Sequence, residues 1–244
     1  MKLTAEETLM YEVMKAIYDS GIPIDFKGSM VLKACLNEAG YAEEIRHTVD
    51  IDANWNSDTP PSAAQMTDSL QKALSQNGLN LTVSLYRMYG EGRSAGFELK
   101  NSETAEILFS MDIDVNRPIP PTQIYEIEGF RFRGVSPTQM LADKISVISG
   151  GKVFRRIKDL VDLYYISKVI DFEKGELLQT LESSKRSLDS FDGFLHQPDE
   201  LRHAYEKFRF TGNVDKPPFE EVYSTVKSYI QDVLPQDEES FCQG

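Results

Sequence analysis

Apolar positions in the first half of the chain switch between helical and strand spacing. Residues with a repeat of three to four positions predict amphipathic helices over 3–19, over 30–39 and after Ser62. Stretches of alternating or β-branched character predict strands over residues 45–55, 79–89, 96–100, 106–115 and 124–132. The last of these contains Glu128-Gly129 and is expected to be a hairpin that turns there. This half is therefore expected to form a mixed or antiparallel sheet flanked by helices.

The pattern becomes helical after Ser136. Ser136 can cap a helix whose first residue is Pro137, and Gly150-Gly151 ends it. Further helices are expected over 153–170, 173–190, 198–208 and 218–234. We therefore predict an α+β domain over residues 1–135, followed by a helical domain over 136–244.

The composition is that of a globular protein without membrane spans. The 244 residues are 41% hydrophobic and 27% charged, which is enough to bury a sizeable core. No apolar run approaches the roughly 20 residues of a membrane span. The chain starts with Met1-Lys2-Leu3-Thr4-Ala5-Glu6-Glu7, which turns acidic where a signal peptide is apolar, so a cytoplasmic protein is expected. Cys35 and Cys242 lack metal-site or disulfide spacing and are expected to be reduced thiols.

The net charge of −13 argues against general binding of DNA or other nucleic acids. One stretch reverses this balance, since residues 131–168 contain eight basic residues and three acidic ones. The basic residues are Arg131, Arg133, Lys144, Lys152, Arg155, Arg156, Lys158 and Lys168. An anionic ligand is expected to bind there.

Two carboxylates in the strand at 45–55 suggest metal-assisted phosphorus chemistry. Asp50 and Asp52 alternate with Ile51, so both side chains lie on one face of the strand. Mg²⁺ prefers oxygen ligands and neutralises charge that develops during in-line displacement at phosphorus. Gly28-Ser29, directly before a helix, offers backbone N–H groups and a hydroxyl to phosphate oxygens.

A third carboxylate is expected from the strand at 106–115. Phe109, Met111 and Ile113 share its apolar face, so Asp112 and Asp114 share its polar face. Asp114 is preferred because it ends the strand, and Asp112 is kept as the alternative.

Several motifs together resemble a known family. A Gly-Ser turn, an Asp-x-Asp strand and a later acid resemble the polymerase-β-like nucleotidyltransferase superfamily. The order of four motifs is similar to the AbiEii/AbiGii toxin family, and the resemblance covers residues 26–163. The motifs are Phe26-Lys27-Gly28-Ser29-Met30-Val31-Leu32-Lys33, Arg46-His47-Thr48-Val49-Asp50-Ile51-Asp52, Leu141-Ala142-Asp143-Lys144 after Ser136-Pro137, and Arg155-Arg156-Ile157-Lys158-Asp159-Leu160-Val161-Asp162-Leu163.

The resemblance implies a nucleotidyltransferase toxin of a bacterial abortive-infection or type IV toxin–antitoxin pair, with a possible cognate antitoxin. It implies an NTP substrate, Mg²⁺ or Mn²⁺, and transfer of NMP to the hydroxyl of an RNA end, such as a tRNA, or of a protein. It assigns metal binding to Asp50, Asp52 and a third acid, phosphate binding to Gly28, Ser29 and Lys144, and further site roles to Arg155 and Asp159.

Other interpretations of the same residues are open. Asp159 can pair with Arg155 or Arg156 on one helix, Asp162 can orient a basic neighbour, and Arg46 can support the Asp50 strand. For the whole chain, the alternatives are a nucleotidyltransferase that modifies a small antibiotic-like molecule, and a catalytically silent NTP-binding or interaction module.

Overall fold

The computed structural model describes residues 2–41, 43, 45–90, 94–115, 118–210 and 214–235. The chain divides into two compact units, and the division falls between Met140 and Leu141. The first unit also takes in Val214. None of the helices in the described ranges is long and apolar enough to cross a membrane.

In its described residues, the first unit contains a sheet and three helices, followed by the start of a fourth. In chain order its elements are α1 (Ala5–Asp19), β1 (Ile24–Lys27), α2 (Gly28–Glu38), β2 (Asp50–Trp55), α3 (Ala63–Gln76), β3 (Leu81–Tyr89), β4 (Ser94–Asn101), β5 (Ile107–Asp114), β6 (Thr122–Ile127), β7 (Phe130–Val135) and α4 (Pro137–Ile148), which continues into the second unit. Local sequence explains the helix starts, because Thr4 and Ser62 each form a capping box at the N-terminus of α1 and α3.

The strands form one mixed sheet of seven strands in the order β3-β4-β5-β2-β1-β7-β6. Strand β1 is antiparallel to β2 and parallel to β7, while β2 is parallel to β5. The outer pairs β3–β4, β4–β5 and β6–β7 are antiparallel. The central position of β1 and β2 places the Asp50 strand in the interior of the sheet.

The two faces of β2 and β5 differ in polarity. Ile51 and Ala53 on β2, and Met111 and Ile113 on β5, are fully buried. The opposite face carries the acidic side chains of both strands, because Asp50 pairs with Ser110 and Asp52 with Asp112 in the parallel register. We call this side of the sheet the acidic face.

An aromatic cluster packs α1 against β1, β6 and β7. Phe132 lies at the centre, with the rings of Tyr11, Phe26 and Tyr125 at centroid distances of 5.7, 6.0 and 5.7 Å. The Tyr11 hydroxyl donates to the Met30 carbonyl, and burial and nearby Glu7 raise the pKa of this phenol well above its usual value. The cluster therefore links α1 to α2, the helix that begins at Gly28.

The second unit is helical. After α4 it comprises a 3₁₀ turn at Val153–Arg155, α5 (Ile157–Ile166), α6 (Lys174–Ser183), α7 (Asp192–Leu195), α8 (Pro198–Lys207), α9 (Phe219–Tyr229) and a second 3₁₀ turn at Gln231–Val233. Leu160, Leu163, Val222 and Val226 are fully buried where α5 packs against α9.

The architecture confirms the predicted α+β class with a mixed sheet and later helices, and the hairpin turns at the expected residues Glu128 and Gly129. Several local predictions differ from the structure. The strand expected over 45–55 begins only at Asp50, and the helix expected over 173–190 ends at Ser183. The segment at 24–27 was not predicted as a strand, yet it pairs with both β2 and β7. The helix expected over 153–170 is interrupted because Arg156 has a non-helical backbone at φ −123° and ψ 30°.

Candidate functional site

The turn from β1 into α2 brings the backbone of Gly28 against the Asp52 carboxylate. Lys27 is the register partner of Asp52, and Gly28 follows with φ +73°. A Cβ atom at position 28 would lie only 2.5 Å from Asp52 Oδ2. Glycine is needed here both for the left-handed backbone and for the close approach.

The N-terminus of α2 is polar and has a supported hydroxyl. Lys27 is the N-cap residue and makes no side-chain hydrogen bond to the helix. Ser29 is buried, and its Oγ accepts a hydrogen bond of 2.7 Å from the equally buried Arg46 guanidinium. A helix N-terminus carries partial positive charge and N–H donors, so this end of α2 suits an anion such as a phosphate.

Asp50 and Asp52 lie on the acidic face of β2, two residues apart. The Thr48 hydroxyl donates to Asp50 Oδ1 at 2.9 Å and so fixes that carboxylate near the start of the strand. Asp52 is held between the Gly28 turn and β5 by the strand register. The two carboxylates therefore line the same face that the N-terminus of α2 approaches.

The two candidates for the third acid have different surroundings. Asp112 is the direct register partner of Asp52 and forms an ion pair of 3.0 Å with Arg87. Asp114 is opposite Asn54, and Lys27 Nζ binds both Asp114 Oδ2 at 2.7 Å and Asn54 Oδ1 at 2.8 Å. Asp112 therefore lies directly beside Asp52 on the neighbouring strand. Asp114 lies two residues further along β5 and forms an ion pair with Lys27.

The donor set fits a hard divalent cation that binds together with a nucleotide. Within the part of the chain that the structure describes, no three His, Cys, Asp or Glu side chains are already gathered as metal ligands. Mg²⁺ commonly takes only one or two protein carboxylates and completes its shell with water and substrate phosphates. Asp50 and Asp52 beside the α2 N-terminus provide the oxygen ligands for such an arrangement.

Lys144 and Asp159 belong to an ion-pair cluster of the second unit. Lys144 Nζ lies 2.6 Å from Asp162 Oδ2 and 3.4 Å from Asp159 Oδ1. Asp162 is fully buried, and Arg156 Nε binds Asp159 Oδ2 at 2.8 Å. Lys144 thus compensates a buried carboxylate, whatever it also contacts during a reaction.

Part of the basic stretch at 131–168 is neutralised by acids. Arg133 pairs with the buried Asp25 of β1, and Lys144 and Arg156 pair with acids of α5. Arg155 lies on the 3₁₀ turn rather than on the helix of Asp159, with its guanidinium 5.6 Å from the Phe154 ring. Of the two arginines that could pair with Asp159, Arg156 therefore forms the ion pair.

Comparison with protein families identifies the family of the chain. Residues 16–225 match the family described as "Nucleotidyl transferase AbiEii toxin, Type IV TA system". The chain belongs to this family. The AbiEii resemblance expected from the motifs is confirmed, and as an AbiEii protein the chain is a nucleotidyltransferase.

One solved structure shares the fold of this chain at low sequence identity. MenT4, the nucleotidyltransferase toxin Rv2826c from Mycobacterium tuberculosis H37Rv, aligns with a TM-score of 0.62 and 14% identity, covering 96% of this chain and 84% of that one. An antigenic nucleotidyltransferase-like protein from Paracoccidioides brasiliensis gives 0.49 and 15%, covering 78% and 96%. Comparison with curated protein sequences gives no match. At these identities, the likeness to MenT4 shows a shared fold.

Two residues of the acidic face were missed by sequence reasoning. Lys27 and Arg87 each pair with a candidate carboxylate, on Asp114 and Asp112 respectively. Their partners are 87 and 25 positions away in the sequence. Lys27 does stand directly before the Gly28-Ser29 motif, and that position was the available signal.

Proposed function

We propose that this AbiEii protein transfers an NMP from an NTP to an acceptor hydroxyl in a Mg²⁺-dependent reaction. The observation that carries the proposal is the contact of the Gly28 turn with Asp52, which joins a helix N-terminus to the Asp50–Asp52 pair. Triphosphate oxygens at that helix end and the carboxylates are both negative. Asp50 and Asp52 would hold a divalent cation there, and such a cation would supply neutralisation of the negative charge that develops on the leaving pyrophosphate.

The protein's own groups would position the reactants. The N–H groups at the start of α2 and the Ser29 hydroxyl, held by Arg46, would donate to phosphate oxygens. Thr48 keeps Asp50 oriented toward the acidic face. The acceptor hydroxyl would lose its proton to solvent as its oxygen bonds to the α-phosphorus. The bond from the α-phosphorus to the oxygen that bridges it to the β-phosphorus would break, and pyrophosphate would leave.

We propose Asp112, rather than Asp114, as the third acid that orients the acceptor hydroxyl. Asp112 is level with Asp52, and its pairing with Arg87 is exposed, with side-chain exposures of 38% and 46%. An exposed ion pair is weak and exchanges easily. The pair of Asp114 with Lys27 is more enclosed and includes Asn54 as well.

The assignments of Lys144, Arg155 and Asp159 to the same reaction rest on the family resemblance and stay predictions. From family membership we also propose that the protein is a toxin, that it has a cognate antitoxin and that it is cytoplasmic. NTPs and hydroxylated acceptors are cytoplasmic molecules, which agrees with that location.

The test is transfer of label from α-³²P-NTP in a cell extract with Mg²⁺, comparing the wild type with Asp52→Asn. Asparagine keeps the shape of the side chain but removes its charge, so circular dichroism should show an unchanged fold. Label on RNA or protein that is lost in Asp52→Asn is the expected result. Label confined to small molecules would favour an antibiotic-type enzyme. Nucleotide binding without any transfer would favour a silent module and contradict the proposal.

A further inference from the structure

Lys27 connects three neighbouring strands on the acidic face. It is the last residue of β1, and its Nζ donates to Asp114 Oδ2 of β5 at 2.7 Å and to Asn54 Oδ1 of β2 at 2.8 Å. Asn54 and Asp114 are direct register partners. Two strand spacings of about 4.8 Å separate β1 from β5, so only a long side chain can make this connection. We call Lys27, Asn54 and Asp114 the Lys27 network.

Lys27 also begins the turn that approaches the candidate site. It is the N-cap residue of α2, with an extended backbone at φ −146° and ψ −173°, and Gly28 follows it directly. Asp, Asn, Ser and Thr are preferred at an N-cap because their side chains accept hydrogen bonds from the helix, whereas a lysine side chain has only donors. The start of the helix therefore does not explain a lysine here, and the side chain bonds to β2 and β5 instead.

The Lys27 network lies where the backbone pairing of β1 ends. Strand β1 is four residues long, and its register with β2 ends at Lys27, which pairs with Asp52. Gly28 and Ser29 come next in the chain, so a displacement of Lys27 would move their backbone with it. The network therefore limits movement of the turn that contacts Asp52.

Neutralisation of Asp114 alone does not account for this geometry. An ion pair that is exposed to solvent contributes little to stability. The Lys27 and Asp114 side chains are only 24% and 25% exposed, and the third member, Asn54, is buried. The Asn54 amide brings no charge, but its carbonyl oxygen fixes the direction of the ammonium group. Two acceptors on two different strands therefore favour a positioning role over neutralisation.

We propose that Lys27 is a positioning residue for nucleotide binding, which acts through Asn54 and Asp114 to fix the turn at Gly28 and Ser29. The proposal rests on the nucleotidyl-transfer function above, in which this turn receives the triphosphate. It gives Asp114 the role of an anchor for Lys27, distinct from the role of the third acid. Lys27 acts through the backbone that follows it and makes no contact with the reacting atoms in this role.

The test measures nucleotide binding without turnover. Isothermal titration calorimetry with Mg²⁺ would give the Kd of the α,β-methylene analogue of each common NTP for the full-length wild type and its variants. Lys27→Met keeps the length of the side chain and removes its charge. It should raise the Kd about tenfold, the loss expected when one hydrogen bond to a charged group is weakened. Asp114→Asn should raise the Kd by a similar factor, and the double variant should bind no more weakly than either single variant, because both substitutions break the same network.

The direction of the Asp114→Asn effect separates positioning from direct phosphate binding by Lys27. If the Lys27 ammonium bound a phosphate itself, Asp114 would compete with the nucleotide for it, and Asp114→Asn would lower the Kd. A lower or unchanged Kd for Asp114→Asn would therefore overturn the proposal. Additive effects of Lys27→Met and Asp114→Asn would overturn it as well.

Lys100→Met is the matched control. Lys100 forms an ion pair of 2.9 Å with Glu98 on β4, and the side-chain exposures of 28% and 24% are close to those of Lys27 and Asp114. This variant should change Tm to a similar extent as Lys27→Met and leave the Kd unchanged. An equal rise of the Kd in both variants would count against the proposal, because the loss of any nearby cation would then suffice.

Failure of the positioning role and failure of the enzyme can be told apart. In the transfer assay above, Lys27→Met should raise the KM for NTP by a larger factor than it lowers kcat. If the wild type transfers label, but KM and Kd are unchanged in Lys27→Met, the positioning role is wrong and the enzymatic function stands. If the wild type transfers no label, yet Lys27→Met and Asp114→Asn both weaken binding of the analogue, the enzymatic function is wrong and the positioning role stands.

Discussion

Replacement of Gly28 by alanine should separate the cost to stability from the cost to activity. Gly28 has φ +73°, a conformation that costs an alanine about 1–2 kcal/mol. For a chain of this size, that loss lowers Tm by roughly 2–8 °C. In addition, the new Cβ would lie 2.5 Å from Asp52 Oδ2, which is about 0.9 Å closer than an ordinary contact of 3.4 Å.

Relief of this clash must move either the Asp52 carboxylate or the start of α2. A displacement near 1 Å in a reacting constellation commonly costs about 100-fold in rate. We therefore expect Gly28→Ala to remain folded at 25 °C and to lose about 100-fold in kcat. The assay is steady-state transfer from α-³²P-NTP at saturating nucleotide, alongside thermal unfolding followed by circular dichroism.

Gly40→Ala is the matched control at the other end of α2. Gly40 has φ +79°, and a Cβ atom there would meet nothing within 4 Å. It should lower Tm by an amount similar to that of Gly28→Ala and leave kcat unchanged. Equal activities of the two variants would refute the reasoning, because the contact with Asp52 would then have no catalytic consequence.

Three more outcomes are expected. Asp112→Asn should reduce kcat by at least tenfold, and Asp114→Asn should reduce it less; the reverse order in a side-by-side rate assay would restore Asp114 as the third acid. Lys144→Met should leave the buried Asp162 carboxylate without its lysine. It should lower the free energy of unfolding by about 3–5 kcal/mol and Tm by roughly 10 °C, and an unchanged melting curve would contradict this. In a Cys242→Ser background, iodoacetamide at pH 8 should modify Cys35 only after urea unfolding, because burial and then Glu38 raise the pKa of its thiol to about 11; rapid labelling of the native protein would count against that environment.

The two cysteines, both predicted to be reduced thiols, differ in whether the structure describes them. Cys35 is a free, buried thiol, in agreement with the expected reduced state. Cys242 lies outside the described residues, so its expected state stays a prediction.

Local patterns predicted most elements because each carries its own signal. Alternation over 106–115 predicted both faces of β5, including the polar positions of Asp112 and Asp114. The capping residue Ser62 and the turn at Glu128-Gly129 likewise act through neighbours in the sequence. These features need no knowledge of distant contacts.

Strand β1 was missed because its signal is not local. Ile24–Lys27 is only four residues long and lies between Pro23 and Gly28, so alternation cannot be recognised. It is a strand because β2 and β7 pair with it on both sides. Without β1, the contact between Gly28 and Asp52 could not be predicted either, although both motifs were recognised as candidates.

The excess of basic residues over 131–168 predicted an anion-binding site less reliably than its net charge suggested. Counting charges by sequence assigns Arg133 to the positive stretch, but the fold pairs it with Asp25, a buried residue 108 positions earlier. Lys144 pairs with Asp162 in the same way within the second unit. Net charge over a segment cannot distinguish a cation that is available to a ligand from one that compensates a buried acid.

The same compensation explains how the acidic face tolerates so many carboxylates. Asp25, Asp112 and Asp114 are each paired with a cation, namely Arg133, Arg87 and Lys27. These pairs relieve repulsion around Asp50 and Asp52 before any cation or nucleotide binds. Because Arg87 belongs to the most exposed pair, it is the partner that an incoming polyanion can displace at the least cost. Asp112, the acid that we propose to orient the acceptor hydroxyl, is therefore the one of these three carboxylates whose cation is lost at the least cost.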